Sequence, residues 1–255
     1  MSPLTQSSIA ARGPDQRGFT LVELMVTVAI ALFLLFGLFS IVQNVRVTYA
    51  NQQLLAQLED AQRLAMVMMT DVTQEAGYYP NPVLYSATDL IATGAFQSTQ
   101  GISGTHANGV NPPGDTLSVR YETASGDGTL NCSGTSNTSG AALVYTNTFS
   151  VVGGQLMCSV NGAAALPLVT GVTNLQVLYG VKRNFGIAGN DVDTYLTANQ
   201  MANADWLNLT SVTITLTFVN PLSATTGITT TEGVNQPPTV SFTRVIDVMS
   251  RTGEG

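Results

Sequence analysis

Nineteen consecutive residues, Leu24 to Val42, carry no formal charge, and this run restricts the possible folds more than any other stretch. As a helix rising ~1.5 Å per residue it spans about 28 Å, close to the ~30 Å hydrocarbon core of a bilayer. One acid, Glu23, stands at its edge, and Gly18-Phe19 lies just before that. Residues 1–18 are polar and include Arg12 and Arg17. Positive charge on that side predicts a cytoplasmic N-terminus and an extracytoplasmic C-terminal body.

The helix is expected to continue past the apolar run. Leu54, Leu58, Ala61, Ala65, Met68 and Val72 follow one another at spacings of 4, 3, 4, 3 and 4, which places them on one helix face. Gln57, Glu59, Asp60, Gln62, Arg63, Asp71 and Gln74 fall between them and suit an exposed face. Gly77 supplies a C-cap, and Pro80 and Pro82 forbid continuation. A helix from about Thr20 to Ala76 would be about 85 Å long. Gly37, inside the apolar half, costs ~1 kcal/mol of helix propensity relative to alanine. It either permits close helix approach or local unwinding, or is a tolerated membrane glycine.

From Pro82 to about Asp115 the chain is loop-rich, with Gly94, Gly101, Gly104, Gly109 and Pro112-Pro113-Gly114. Alternation follows at Leu117, Val119 and Tyr121, then at Leu175, Val177, Tyr179 and Val181, then at Val212, Ile214, Leu216 and Phe218. Val240, Phe242 and Val248 mark the last stretch. Period-two patterning of this kind predicts strands with one buried face. Residues 143–151 and 155–160 flank Gly153-Gly154 and read as a hairpin. The Thr/Gly/Pro link Pro221 to Pro238 joins the last two strands. The expected fold class is therefore α+β, a long N-terminal helix followed by a C-terminal antiparallel β-sheet domain. In segments, this is 1–18, a helix over 19–77 with 24–42 spanning the membrane, and a β-rich body over 78–255.

The stretch Arg17-Gly18-Phe19-Thr20-Leu21-Val22-Glu23-Leu24 resembles the processing site of type IV pilins and their relatives. Further on, Glu59 to Tyr78, Gly114 to Tyr121, Cys132-Ser133-Gly134, Leu156-Met157-Cys158, Leu168 to Val172 and Tyr179-Gly180-Val181 resemble the PilW family of minor pilins. The resemblance implies cleavage between Gly18 and Phe19 by a prepilin peptidase. That cut would remove residues 1–18 and keep the apolar helix, the reverse of an ordinary secretory signal, whose cleavage site follows its apolar core. The new N-terminus, Phe19, would be N-methylated by the same enzyme. Glu23 would pair with the N-terminal ammonium of a neighbouring subunit during assembly. A carboxylate at a membrane edge needs some partner, because moving it to the bilayer centre costs ~2.5–3.5 kcal/mol. A local reading is also open, since Thr20-x-x-Glu23 is a capping box and an acid in the first turn favours the helix dipole.

The implied function is structural: a minor pilin in the priming or tip complex of a type IV pilus, set in the inner membrane with its C-terminus periplasmic. Implied partners are other minor pilins, the major pilin, the prepilin peptidase and the inner-membrane assembly platform. A pseudopilin of a type II secretion system is the alternative within the same machinery. A tip-located adhesin is another, with a binding surface on loops 94–114 and 221–238.

Cys132 and Cys158 both lie on the extracytoplasmic side, and an even count there reads as one disulfide, the other reading being two buried thiols. Asn190, Asp191 and Asp193 have a spacing that could hold Ca²⁺, although a solvated turn is the commoner explanation of such a loop. His106 is the sole histidine, so no Ser-His-Asp triad and no multi-histidine metal site is assembled. Trp206 and Met201 are expected to cap the core. No cofactor and no enzymatic activity are expected. Net charge is −7, and without residues 1–18 it becomes −8, from 7 basic and 15 acidic residues. With Lys182 the only lysine and no basic stripe, direct nucleic-acid binding is not expected.

Overall fold

The computed structural model of the protein describes residues 18–80, 90–107, 114–186, 189, 191–223 and 237–248. The remaining residues, among them 1–17, Pro82, Gly109, Pro112, Pro113, Asn190 and most of the 221–238 link, lie outside the described set. Two compact units are present, one ending at Gln52 and one beginning at Gln53. Helix α1, Leu21–Gln74, contributes to both.

In the first unit every described residue from 18 to 50 is exposed. The helix here is long and apolar enough to cross a membrane, with Phe33, Phe36 and Leu32 turned outward in different directions. No core forms around it, because these side chains are apolar on every face.

In the second unit α1 packs one face onto strands. Ala65, Met66, Met69, Val72, Thr73 and Ala76 are buried, and Leu58 and Ala61 are partly buried against the same core. The buried stripe passes through Met69, whereas the sequence spacing placed Met68 on it, and Met68 is only half-buried. A step of four after Ala65 keeps pace with the 3.6-residue turn of a straight helix, which a strict 3–4 alternation does not. Helix geometry gives way to turns at Glu75, and Gly77 takes φ +74, as a C-terminal glycine cap requires.

The strands form two antiparallel sheets. The first has the order β1 (Ile102–Thr105), β2 (Thr116–Thr123), β3 (Leu143–Val152), β4 (Gln155–Val160) and β5 (Leu166–Thr170). In the second, β7 (Thr194–Leu196) pairs with β6 (Val172–Val181), β6 with β8 (Leu209–Val219) and β8 with β9 (Thr239–Asp247). A short helix α2 (Asn203–Leu207) precedes β8. The β3–β4 hairpin turns at Gly153-Gly154, both at positive φ, with Val152 opposite Gln155. The alternation read from the sequence sets the pleat: Val212, Ile214, Leu216 and Phe218 face the core while Thr213, Thr215 and Thr217 face outward and are half-buried. Cross-strand hydroxyl pairs, Thr215–Thr243 and Thr217–Ser241, each 2.9 Å apart, line the outer face of the second sheet. Trp206 closes the core edge-on to Tyr179, with ring centroids 4.8 Å apart, and Met201 packs beside it.

The loop-rich reading of residues 82–115 missed β1 and the small turn before it. Thr93 and Phe96 exchange two main-chain bonds of 3.0 Å each across Gly94-Ala95. Four residues of β1 are too few to show a period against surrounding glycines.

Candidate functional site

Gly18, Phe19 and Thr20 are non-helical and lead into α1. Thr20 begins the helix twice over: its carbonyl accepts the Leu24 N–H at 3.2 Å, and its hydroxyl oxygen accepts the Glu23 N–H at 3.3 Å. That is one half of a capping box. Glu23 stands in the first turn, where a carboxylate complements the positive end of the helix dipole. It forms no ion pair among the described residues. A Cβ added to Gly18 would meet nothing within 4 Å, and the same holds at Gly37. The packing of this chain therefore demands neither glycine.

Cys132 and Cys158 are joined by a disulfide and both are buried. It fastens the 124–142 connection onto β4, beside a bond in which the Cys132 N–H donates to Asn147 Oδ1 at 2.9 Å. The Tyr121 hydroxyl ties the same connection from below by donating to the Leu130 carbonyl at 2.7 Å, and burial pushes its phenol up to about 12.

Of the residues considered for calcium, Asn190 lies outside the described residues. Asp191 is exposed. The Asp193 carboxylate accepts the backbone N–H groups of Asn184 at 2.5 Å and Arg183 at 2.6 Å, and these bonds hold its carboxyl below the usual range. Asp193 thus closes the turn between β6 and β7. Among the described residues no cluster of three or more His, Cys, Asp or Glu side chains is arranged to hold a metal ion.

Two arrangements had no sequence signal. His106 Nδ1 lies 2.8 Å from Asp115 Oδ1, and the Asp115 carboxylate also accepts N–H groups from Ala107 at 3.1 Å and from Val177 of β6 at 2.8 Å. With the Asp115 N–H donating to the Leu175 carbonyl at 2.7 Å, this residue sews the start of β2 to the other sheet. Tyr179 is fully buried next to it, and burial pushes its phenol far up.

The second is Arg120. Alternation on β2 puts it opposite Leu117, Val119 and Tyr121, on the face expected to be solvated, yet it is only 1% exposed. Residues 90–101 cover that face. The guanidinium donates to the carbonyls of Gln100, Ile91, Gln97 and Leu90, and lies 4.7 Å from the centre of the Phe96 ring. Burial lowers its pKa. No acid lies within ion-pair distance of it among the described residues. The main chain of Arg120 meanwhile accepts the Gly77 N–H at 2.9 Å, so one residue links the end of α1 to the 90–101 segment.

Residues 122–244 match the family model of the type IV pilus-assembly protein W, and residues 13–39 match the prokaryotic N-terminal methylation motif. The 122–244 segment is thus PilW-like, and the N-terminal stretch carries the methylation motif. Among solved structures the chain is similar to a type IV-like pilin from Thermus thermophilus, at TM-score 0.41 and 13% identity over 76% of this chain and 98% of that one. A complex of two pseudopilins from the type 2 secretion system of Vibrio vulnificus gives 0.40 and 12% over 77% and 94%. The GspK-GspI-GspJ complex of the enterotoxigenic Escherichia coli system gives 0.38 and 12% over 75% and 97%. No curated protein matches the sequence. The methylation-motif match contains Gly18, Phe19, Glu23 and Gly37, and the PilW match takes in everything from the end of β2 to the middle of β9, including both cysteines.

Proposed function

We propose that this PilW-like chain is a minor pilin that works as a structural and assembly subunit of a type IV pilus, in its priming or tip complex. The single observation that carries the reading is the charge-free half of α1, exposed on all sides, with Glu23 in its first turn and a glycine-phenylalanine junction before it. An apolar helix with no partner in its own chain requires lipid before assembly and other apolar helices after it. Gly18 has no packing reason within the chain, which supports recognition of the junction by a prepilin peptidase that reads the small residue. Cleavage there leaves an ammonium on Phe19, four residues from the Glu23 carboxylate, and methylation keeps it cationic. In a membrane interior such a charge pair is favoured strongly over two separate charges. Glu23 then selects the depth at which a neighbouring subunit's N-terminus docks. The β-rich body faces the periplasm and then the exterior, consistent with its disulfide and its scarcity of lysine. The role is architectural, with other minor pilins and the major pilin as partners and the inner-membrane platform as the place of assembly.

The test is intact-mass and N-terminal analysis of the chain from membrane and sheared-pilus fractions, beside Glu23→Ala. The expected result is a mature chain starting at methylated Phe19, present in sheared pili and absent from them in the variant. An uncleaved chain confined to the membrane in both cases would overturn the proposal.

A further inference from the structure

The exposed half of α1 carries one charge that no contact within the chain accounts for. Between Glu23 and Glu59 the sole charged residue is Arg46. Its side chain is exposed and forms no hydrogen bond or ion pair among the described residues. The hydroxyls of this half are different, because the helix itself satisfies them. Thr27 donates to the Leu24 carbonyl and Thr48 to the Asn44 carbonyl, each at 2.9 Å. Arg46 keeps the five donors of a guanidinium and has no acceptor for them.

Helix geometry sets the level at which those donors stand. Arg46 follows Glu23 by 23 residues, about 35 Å along a straight helix. With Glu23 at one face of a hydrocarbon core ~30 Å thick, the other face falls about 20 residues on, at Gln43, the first polar residue after the apolar run. The Arg46 Cα then stands about 4.5 Å beyond that face, inside a headgroup layer about 5–7 Å thick. Val42, at i−4, is exposed on the same side of the helix and gives the apolar stem of Arg46 a surface to lie along. Tyr49, at i+3, is 71% exposed. Helix side chains lean toward the N-terminus, so its ring comes down from one turn higher to the level of the guanidinium, where an amphipathic ring is favoured.

No acid on α1 of a neighbouring copy reaches this level. Copies anchored side by side hold Glu23 at the opposite leaflet, and Glu59 is 13 residues further along α1, about 20 Å of helix. Lipid phosphate is the anion present at the depth of Arg46, and its oxygens suit the planar fork of a guanidinium.

We propose that Arg46 binds the phosphate of a phospholipid headgroup in the extracytoplasmic leaflet, with the Tyr49 ring beside it. This rests on the membrane-anchored reading above. Glu23 and Arg46 then mark the two faces of the bilayer from one helix, and the lipid contact at Arg46 has to break when α1 leaves the membrane for a filament.

The experiment reconstitutes the full-length chain, its arginines labelled with carbon-13 at Cζ, into bilayers of phosphatidylethanolamine and phosphatidylglycerol. Solid-state nuclear magnetic resonance then reads the dephasing of the Cζ signal by lipid phosphorus. The expected result is a rapidly dephasing component that Arg46→Gln removes, while any contact from Arg12 or Arg17 is common to both proteins and cancels in the difference. Because Arg46 is exposed and outside the packed unit, the variant should keep the melting temperature and the Cys132–Cys158 bond of the parent. The same component should be missing in micelles of a maltoside detergent, which carry no phosphate, even with millimolar inorganic phosphate added. Equal dephasing of parent and Arg46→Gln in bilayers would overturn the proposal while leaving the anchored reading intact. A component that survives in the micelles with inorganic phosphate would overturn the assignment to a lipid headgroup. A chain that fails to float with the vesicles would remove the anchored reading itself, and this proposal with it.

Discussion

Replacing Arg120 by methionine keeps the length and the apolar stem of the side chain and removes every donor. Five contacts are lost: Nε to the Gln100 carbonyl at 3.2 Å, Nη1 to Ile91 at 2.6 Å, and Nη2 to Gln97 and Gln100 at 2.9 Å and to Leu90 at 3.3 Å. Ile91 and Gln97 lie toward solvent, where water takes over as donor. The Leu90 carbonyl keeps the Thr99 N–H as a donor at 2.8 Å, but Gln100 is only 2% exposed and its carbonyl loses both the Nε and the Nη2 bond. At about 1.5–3 kcal/mol for each hydrogen bond to a charged group, two such losses amount to roughly 3–6 kcal/mol. Relief of the desolvated guanidinium offsets part of that, leaving about 2–4 kcal/mol. For a chain of this size the melting temperature should fall by on the order of 10 °C. Thermal unfolding of the detergent-solubilised full chain, followed by near-ultraviolet circular dichroism, measures this, and limited proteolysis should show new cleavage between residues 90 and 101. Arg120→Lys should behave almost as Arg120→Met, because one ammonium cannot reach carbonyls spread around a planar fork. A methionine variant that melts within about 2 °C of the parent, with no new cleavage, would refute the argument that the guanidinium holds this segment. A fully stable lysine variant would refute the part that depends on fork geometry.

Two further outcomes follow from the same unit. Replacing both Cys132 and Cys158 by serine opens a loop with a sequence separation of 26, and urea unfolding should show a loss of about 3.5 kcal/mol on chain-entropy grounds. The Arg183 guanidinium donates to both oxygens of Asp205, at 2.9 and 2.7 Å, and holds its carboxyl below the ordinary value of 3.8. A depressed carboxyl contributes stability above its unfolded pKa and loses it as pH falls through the folded one, so melting curves should decline below pH 3.8, and Asp205→Asn should flatten that decline.

Much of this protein's plan depends only on neighbours in sequence. A charge-free run of 19 residues is long enough for a bilayer whatever it later meets. Alternation at Val212–Phe218 sets which side of a strand is buried, since successive side chains must point oppositely. Gly153-Gly154 flanked by apolar stretches forces a hairpin, and Gly18-Phe19 with Glu23 is a local signature that needs no fold to be read. The even cysteine count pointed to a pair, and the tertiary structure joins it.

What contacts across the chain decide was not legible. Division of the strands into two sheets depends on which edges meet, and alternation is silent on that. Alternation also assigned Arg120 to solvent, because the pattern of β2 carries no sign that residues 90–101 fold over its outer face. His106 and Asp115 are nine residues apart between β1 and β2, and nothing in that spacing shows that Nδ1 lies 2.8 Å from a carboxylate that also accepts the Val177 N–H of β6. The clasp of Arg120 on the carbonyls of residues 90–100 belongs to the same class. Each is made from segments that have no relation in sequence, and each exists because burying the α1 stripe and the inner faces of two sheets leaves their ends in fixed positions.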